Sequence, residues 1–364
     1  MNVLHINEQR GWRGGEQQAS YLIRGLAQRG HNVLIAGRPG TPFIQSDHGA
    51  GSIAKIIAPF FSEFDLYTAA VIARAVRRHR VDIIHAHTSH AHTIACIART
   101  IARRAKVVVS RRVDFAPRNT PFNRWKYSLP DTFVAVSTCI ARVMREFGID
   151  ESRLTVVHSG TDASRFNVKP ISRAQLGVPD GGPLLGCVAA LVGHKDHVTL
   201  LDAMPLILRR LPELRLLLVG EGPLRPQIEA RIKALNIGQS VTLLGHRSDV
   251  PRILKALDAF ILSSKEEGFG GAALEAMACG LPVVSTDAGG MSDTVVHEKT
   301  GLLVPVRDSK ALAQAVIRVF TEPDLAEKLR ANLPAQVDRF SIDRMIEGNL
   351  AVYHRLLDRE TKTR

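Results

Sequence analysis

Cysteine is scarce in this chain, and its four copies, Cys96, Cys139, Cys187 and Cys279, lie far apart in apolar surroundings with no Cys-x-x-Cys pair. That pattern predicts buried thiols in a reducing compartment, not a disulfide framework or a zinc site. No apolar run approaches the roughly 18 residues that would cross a bilayer. The first residues, Met1-Asn-Val-Leu-His-Ile6, run straight into an expected strand without the basic segment and cleavage site of a signal peptide, so none is predicted. A full Gly-x-Gly-x-x-Gly fingerprint is missing, which counts against a dinucleotide-dependent dehydrogenase. There is no Asp-x-Asp pair and no ligand cluster, so the sequence predicts neither a metal site nor a cofactor. Helix-turn-helix, zinc-finger and RNA-recognition signatures, solenoid repeats and low-complexity segments are all lacking, so nucleic acid is not an expected partner.

What is present is cationic and strongly alternating. The net charge is +13 over 364 residues, and it is uneven: residues 1–165 hold 23 lysines and arginines against 12 acids, the remainder 25 against 23. Such a field attracts nucleic acid, an anionic membrane surface or a phosphorylated substrate, and composition does not choose among them. The length suggests two domains of about 100 to 200 residues each. Expected strands at 3–6, 32–36, 82–85, 106–110 and 132–137 alternate with helices at 17–29, 66–80, 92–104 and 139–147, the rhythm of a parallel, doubly wound α/β sheet. The helices at 66–80 and 92–104 set arginines (Arg74, Arg77, Arg78, Arg80, Arg99, Arg103, Arg104) beside apolar stripes. This is a solvated face or, as a second reading, a contact with an anionic surface. Between Arg111 and Pro130 the rhythm breaks into a loop of mixed cations and aromatics that includes Arg118, as a substrate-facing loop would. Residues 166–182, with Pro170, Pro179 and Gly181-Gly182, read as a linker. A second run of strands follows at 184–189, 214–219, 241–244, 259–262, 283–285 and 301–304. An amphipathic helix after the N-cap Ser341 closes the chain.

Ser263 to Gly289 is the stretch around which the rest of the chain is organised. Glu267 and Glu275 flank Gly268-Phe269-Gly270-Gly271, between an apolar run read as one buried parallel strand and Leu281-Pro-Val-Val read as the next. Glycines let backbone N–H groups approach a ligand, and the helix N-terminus adds a dipole that favours phosphate. Ionised carboxylates beside an anion site suit hydroxyl donors such as a ribose or hexose. The plain alternative makes Glu267 a first-turn carboxylate that complements the helix dipole and Glu275 a solvated helix residue. The flanking strands weigh against it, because open parallel sheets bind ligands at strand carboxyl ends. Gly14-Gly15, after the first strand, is a weaker phosphate signal, equally compatible with a tight turn.

From Ser159 to about Leu357 the chain resembles the retaining nucleotide-sugar glycosyltransferases of family four. The carrying motifs are Glu267-x7-Glu275 in its Gly-Phe-Gly-Gly context, Ser159-Gly-Thr-Asp-Ala-Ser-Arg-Phe166, Leu218-Val-Gly-Glu-Gly-Pro223, Leu244-Gly-His246 and Thr300-Gly-Leu-Leu-Val304. The N-terminal half matches more loosely, through Gly14-Gly15-Glu16, Gly30-His31 and Asp82-Ile-Ile-His85-Ala-His87. The resemblance implies the GT-B fold of two facing Rossmann-like domains: an acceptor-binding domain at 1–165, the linker, a nucleotide-sugar domain at 183–340, and a helix at 341–364 that crosses back. It implies that Glu275 holds the donor ribose, and that Glu267 with the backbone of Gly268, Phe269, Gly270 and Gly271 holds the transferred sugar. Lys195 would hold the diphosphate, with Gly14 and Gly15 facing it across the cleft, and Glu221, Gly222 and His246 would lie near the base. Two positions depart from the family: Ala190 stands where an arginine usually precedes the lysine, with His194 or Arg13 as substitutes, and Arg111-Arg112 stand where an acceptor-side histidine is usual. Arginine forks suit a phosphorylated or carboxylated acceptor, so Arg111, Arg112 and Arg118, with His85 and His87, are the candidate acceptor residues. Glu267, Lys195 and His87 are the candidate catalytic ones.

The function expected is therefore metal-free, front-face transfer of a sugar from a nucleotide-diphosphate donor to an anionic, lipid-linked acceptor such as a lipopolysaccharide core. It would take place in the cytoplasm, at the inner membrane face, with a peripheral contact to anionic lipid. The alternatives are a GT-B epimerase or phosphorylase and, from another class, a non-catalytic basic module that binds nucleic acid or anionic lipid.

Overall fold

The computed structural model describes residues 1–49, 51 and 53–361. The chain divides into two compact units, one formed by Met1–Gly160 with Ile342–Arg364, the other by Thr161–Ser341. Residues 362–364, the end of the expected terminal helix, lie outside the described residues.

Unit 1 is built on seven parallel strands: β1 (Asn2–Ile6), β2 (Asn32–Gly37), β3 (Ala54–Ile57), β4 (Ile83–Ala86), β5 (Lys106–Arg111), β6 (Thr132–Ala135) and β7 (Leu154–Val156), in the order β3-β2-β1-β4-β5-β6-β7. The central strands are apolar runs because helices cover both faces of the sheet; β4, Ile-Ile-His-Ala, is buried throughout. The winding reverses between β1 and β4, which pair with His5 opposite His85. The terminal helix, Ile342–Thr361, contributes Met345, Ile346, Val352, Tyr353 and Leu356 to the core that Leu22, Ile23 and Leu26 also fill. It lies so close to the first helix, Gly14–Gln28, that a Cβ on Gly25 would fall 2.0 Å from Ile346 Cδ1.

Unit 2 has six parallel strands: β8 (Leu184–Val188), β9 (Arg215–Val219), β10 (Val241–Gly245), β11 (Ala259–Leu262), β12 (Val283–Thr286) and β13 (Gly301–Val304), in the order β10-β9-β8-β11-β12-β13. Here the winding reverses between β8 and β11. No helix among the described residues is long and apolar enough to cross a membrane.

Several boundaries differ from the sequence reading. The first helix begins at Gly14, because the Glu16 carboxylate caps it by accepting from Arg13 N at 2.9 Å, so Gly14 and Gly15 belong to its first turn. The irregular stretch after β5 contains a helix, Pro121–Ser128, started by the Thr120 hydroxyl, which accepts from Asn123 N, and by proline at the first turn. β3 and β7 are too short to have shown a period. Residues 166–182 are not a free linker: Phe166, Ile171, Leu176 and Val178 are buried in unit 2, and Ile171 N donates to the Arg252 carbonyl at 3.2 Å.

Candidate active site

In unit 2 the reversal point places the loop after β8 beside the loop after β11, the position where open parallel sheets form a crevice. Polar contacts fasten the two loops. Ser263 Oγ donates to the carbonyls of Lys195 and Asp196 at 3.1 and 2.9 Å, and Lys265 N donates to the His194 carbonyl at 2.7 Å. Lys195 and Glu267, 72 residues apart, are thereby joined, with Nζ 2.5 Å from Oε2 and both side chains mostly shielded. Ser264 Oγ donates to the same carboxylate oxygen at 3.3 Å. The Lys195 and Glu267 side chains are thus held together and oriented at the strand ends.

The turn that follows is fixed as firmly. Gly290 N donates to the Glu267 carbonyl at 2.7 Å, the Thr294 hydroxyl donates to the Phe269 carbonyl, and buried Phe269 meets Phe340 edge-on at 5.2 Å. Gly270 has φ +84°, and a Cβ there would sit 2.8 Å from Met291 Sδ, so only glycine fits. The helix Gly271–Ala278 starts at this point with exposed Gly271, and the N–H groups of a helix's first turn have no partner within the helix. Glu275, one turn on, is half-buried, and among the described residues no side-chain hydrogen bond satisfies its carboxyl. Burial raises its pKa, and the charge of Arg165 opposes the rise.

Glu221 and Gly222 after β9 and His246 after β10 line the same carboxyl edge. Leu191 N donates to the Glu221 carbonyl at 3.0 Å and Gly220 N to the Gly245 carbonyl at 2.9 Å, which knits the three loops together. Glu221 and His246 are exposed, and the Glu221 carboxylate pairs with Arg225 at 2.6 Å. Ala190 is exposed beside them. Sequence reasoning missed Ser263, Ser264 and Arg165. The serine pair directly after a buried strand was the available signal for the first two; Arg165 sits in the Ser159–Phe166 motif, but its charge is brought to bear on Glu275 only by the fold.

In unit 1 the loop after β1 is held by Glu16, which is buried and accepts from Asn7 Nδ2 at 3.0 Å as well as from Arg13 N. A cavity of about 430 Å³ opens at this strand edge, lined by Glu8, Arg10, Arg13, Arg38, Ser89 and His90 among others. A Cβ on Gly15 would lie 3.6 Å from Arg112 Cδ, while one on Gly14 would meet nothing within 4 Å. Arg112 has its Nε buried without a partner. Burial pushes its pKa down to about 10, and the Glu16 carboxylate works against that. Arg111 is committed elsewhere: its guanidinium donates to the Tyr127 hydroxyl at 3.1 Å and the Phe115 carbonyl at 2.5 Å and covers the Phe115 ring. Arg118 is exposed, and its carbonyl accepts from Asn123 Nδ2 at 2.7 Å.

The sequence showed no ligand cluster, yet the fold makes one. Pairing of β1 with β4 gathers His5, His85 and His87, with one ring nitrogen of each within 4.8 Å of the others. His5 Nδ1 lies 2.9 Å from His87 Nε2, and His85 lies 2.6 Å from the Tyr353 hydroxyl and 2.8 Å from Ser110 Oγ. Both nitrogens of His85 are engaged, and Arg112 adds positive potential. This is therefore a hydrogen-bonded set of neutral imidazoles, which burial keeps from protonating: His5 is lowered to about 3, and His85 and His87 well below their ordinary value. His85 is locked in the core. His87 retains a buried, unpartnered Nδ1.

Comparison with known proteins bears on the family and the fold. Residues 12–165 match the family described as "Glycosyltransferase Family 4" and residues 168–336 that described as "Glycosyl transferases group 1". The chain is 27% identical to the putative glycosyltransferase EpsD of Bacillus subtilis, over 83% of this chain and 84% of that protein. It is 26% identical to the lipopolysaccharide core biosynthesis glycosyltransferase LpsE of Rhizobium meliloti, over 87% and 88%. Its fold superposes on that of Anabaena HepE, solved in complex with UDP, with a TM-score of 0.84 over 98% of this chain and 100% of that one at 23% identity. Two parallel doubly wound sheets with their polar loops at the strand carboxyl ends, the two family matches and these relatives together make the chain a family-four glycosyltransferase of GT-B fold.

Proposed function

We propose that the enzyme transfers a sugar, with retention, from a nucleotide-diphosphate donor to an anionic, lipid-linked acceptor such as a lipopolysaccharide core, at the inner face of the cytoplasmic membrane. The observation that carries the reading is the Lys195–Glu267 contact beside the Gly270–Gly271 helix start, with Glu275 one turn on and its carboxyl unsatisfied. Glu275 accepts hydrogen bonds from the ribose, and Glu267 accepts from hydroxyls of the transferred sugar. Lys195 and the first-turn amides neutralise the diphosphate as the glycosidic bond breaks. A double-displacement route needs a nucleophile and an acid about 5 Å apart. Glu267, held by an ammonium and a serine hydroxyl, is instead suited to binding. The front-face route remains: the departing phosphate oxygen takes the acceptor proton while the acceptor oxygen bonds the anomeric carbon on the same face.

Unit 1 is the acceptor half in this reading. Unpaired Arg112 meets an acidic group, exposed Arg118 adds charge, and neutral His87 orients a hydroxyl. Gly14 and Gly15 offer first-turn N–H groups to a phosphate. The LpsE name and the basic character of residues 1–165 support an envelope acceptor. The test is Glu275→Ala, assayed by donor consumption and by melting with and without UDP. Transfer should vanish and the shift with UDP shrink while the melting point without ligand is kept. Full activity in this variant sinks the proposal.

A further inference from the structure

An exposed apolar cluster of unit 1 begins in the segment that follows β3 and continues into the one that follows β5. It comprises the segment after β3 and the start of the helix Leu66–Arg78, where Phe61, Phe64, Leu66 and Tyr67 are 78%, 51%, 66% and 67% exposed. Beside it lies the outer face of the helix Pro121–Ser128, with Trp125 46% exposed. The two parts are continuous, since Phe64 contacts Phe122 with ring centroids 5.0 Å apart and Phe122 contacts Trp125 at 5.9 Å. Exposed apolar residues scattered singly need no explanation, but a ring-to-ring cluster of this size marks a contact surface.

The charges around it have one sign outward. Residues 58–80 and 111–130 contain three acids, and each is turned in. The Glu63 carboxylate accepts from the ammonium of buried Lys126 and from Thr93 Oγ1. Asp65 is buried as the cap of the helix it precedes, accepting from Thr68 N and Phe61 N at 2.9 Å. Asp114 sets its charge against Arg111. The arginines point out: Arg74 and Arg78 continue the exposed Leu66–Ala70 row at four-residue spacing, and Arg124 adjoins Trp125. Aromatic rings that sit at headgroup depth, flanked by arginines with no free carboxylate, are the chemistry of an interfacial anchor on an anionic bilayer.

We infer that Phe61, Phe64, Leu66, Tyr67 and Trp125, with Arg74, Arg78 and Arg124, form the face by which the enzyme docks on an anionic phospholipid surface; its purpose rests on the reading of the acceptor as lipid-linked. The experiment is sedimentation of the full chain with vesicles of phosphatidylglycerol and phosphatidylcholine in equal parts, against phosphatidylcholine alone, in parallel with melting shifts on UDP. Binding to the anionic vesicles only, weakened about 25-fold in R74Q/R124Q at about fivefold per arginine and lost in F61S/W125S, with an unchanged UDP shift in both variants, is the expected result. In W12F, where Trp125 is the one remaining tryptophan, its emission should move to shorter wavelength on the anionic vesicles. Absence of vesicle binding, an unshifted emission, or variants that bind like the wild type overturns the inference. A concentration-dependent dimer that F61S/W125S abolishes overturns it too, because the face then belongs to a second copy. Absence of a UDP shift in the wild type would instead overturn the donor reading and leave vesicle binding untouched.

Discussion

Glu275 is a carboxyl placed where charge is costly, half out of water and, among the described residues, without a side-chain hydrogen-bond donor. Hydroxyl donors from a ligand stabilise the ionised form more than the neutral one, so binding is strongest above the raised pKa and weakens as pH falls through it. UDP-glucose affinity, followed by calorimetry from neutral pH downward, should therefore fall on the acid side in the wild type and fall less in Glu275→Gln, which has no proton to take up. Equal slopes would mean that Glu275 does not meet the donor. Glu267 and Glu275 were legible in the sequence because the glycine turn between them is local. Lys195 was named only through the family resemblance, as a diphosphate residue; its pairing with Glu267 was not legible, since the two loops are joined by hydrogen bonds to Ser263 that no spacing rule contains. The histidines were the reverse case. His85 and His87 stood out as a pair, but their third member, His5, is 80 residues upstream of His85 and is supplied by strand register. Arg111 and Arg112 look equivalent in sequence, whereas the fold spends the first on Tyr127 and the Phe115 loop and, among the described residues, gives the second no side-chain hydrogen bond.

Among elements, the strands were readable and the stretch after β5 was not. Parallel strands buried on both faces announce themselves as apolar runs. The helix Pro121–Ser128 has a weak stripe and is held by two inward residues: Tyr127 packs against His92, Phe133 and Phe147, and Lys126, 3% exposed at its side chain, bonds Glu63, the Ser89 carbonyl and Ser89 Oγ, joining this helix to Ser89–Ala102 and to the segment after β3. Glu63→Gln leaves that ammonium buried without a counter-charge and should cost about 3 kcal/mol. Lys126→Met removes the charge altogether, leaves Glu63 partly in water, and should cost less than half as much. Urea denaturation with an unchanged m-value measures both; the opposite ranking would show that packing, and not charge, holds the helix. The same comparison bears on lipid docking, because freeing Glu63 would put a carboxylate among the exposed aromatic rings.

For the whole molecule, buried neutral histidines set the acid limit. His5 and His92 are lowered to about 3 and His197 to about 4, with His85 and His87 also well below 6.5. A lowered histidine costs nothing above its unfolded value of 6.5. Below that, the unfolded chain takes protons the native one refuses, and stability falls by about 1.4 kcal/mol per pH unit for each such group. Between pH 6.5 and about 5, before carboxylates begin to titrate, the urea midpoint should therefore drop steeply; a flat midpoint would mean the imidazoles are charged or solvated in the native state. The division into two units follows a different logic. Unit 2 is one continuous piece of chain, whereas the core of unit 1 needs Ile346, Tyr353 and Leu356 from the far end. During synthesis the half encoded first is accordingly the half completed last. Its sheet waits, with one side of the core uncovered, until the helix Ile342–Thr361 leaves the ribosome, by which time unit 2 already has all of its own residues.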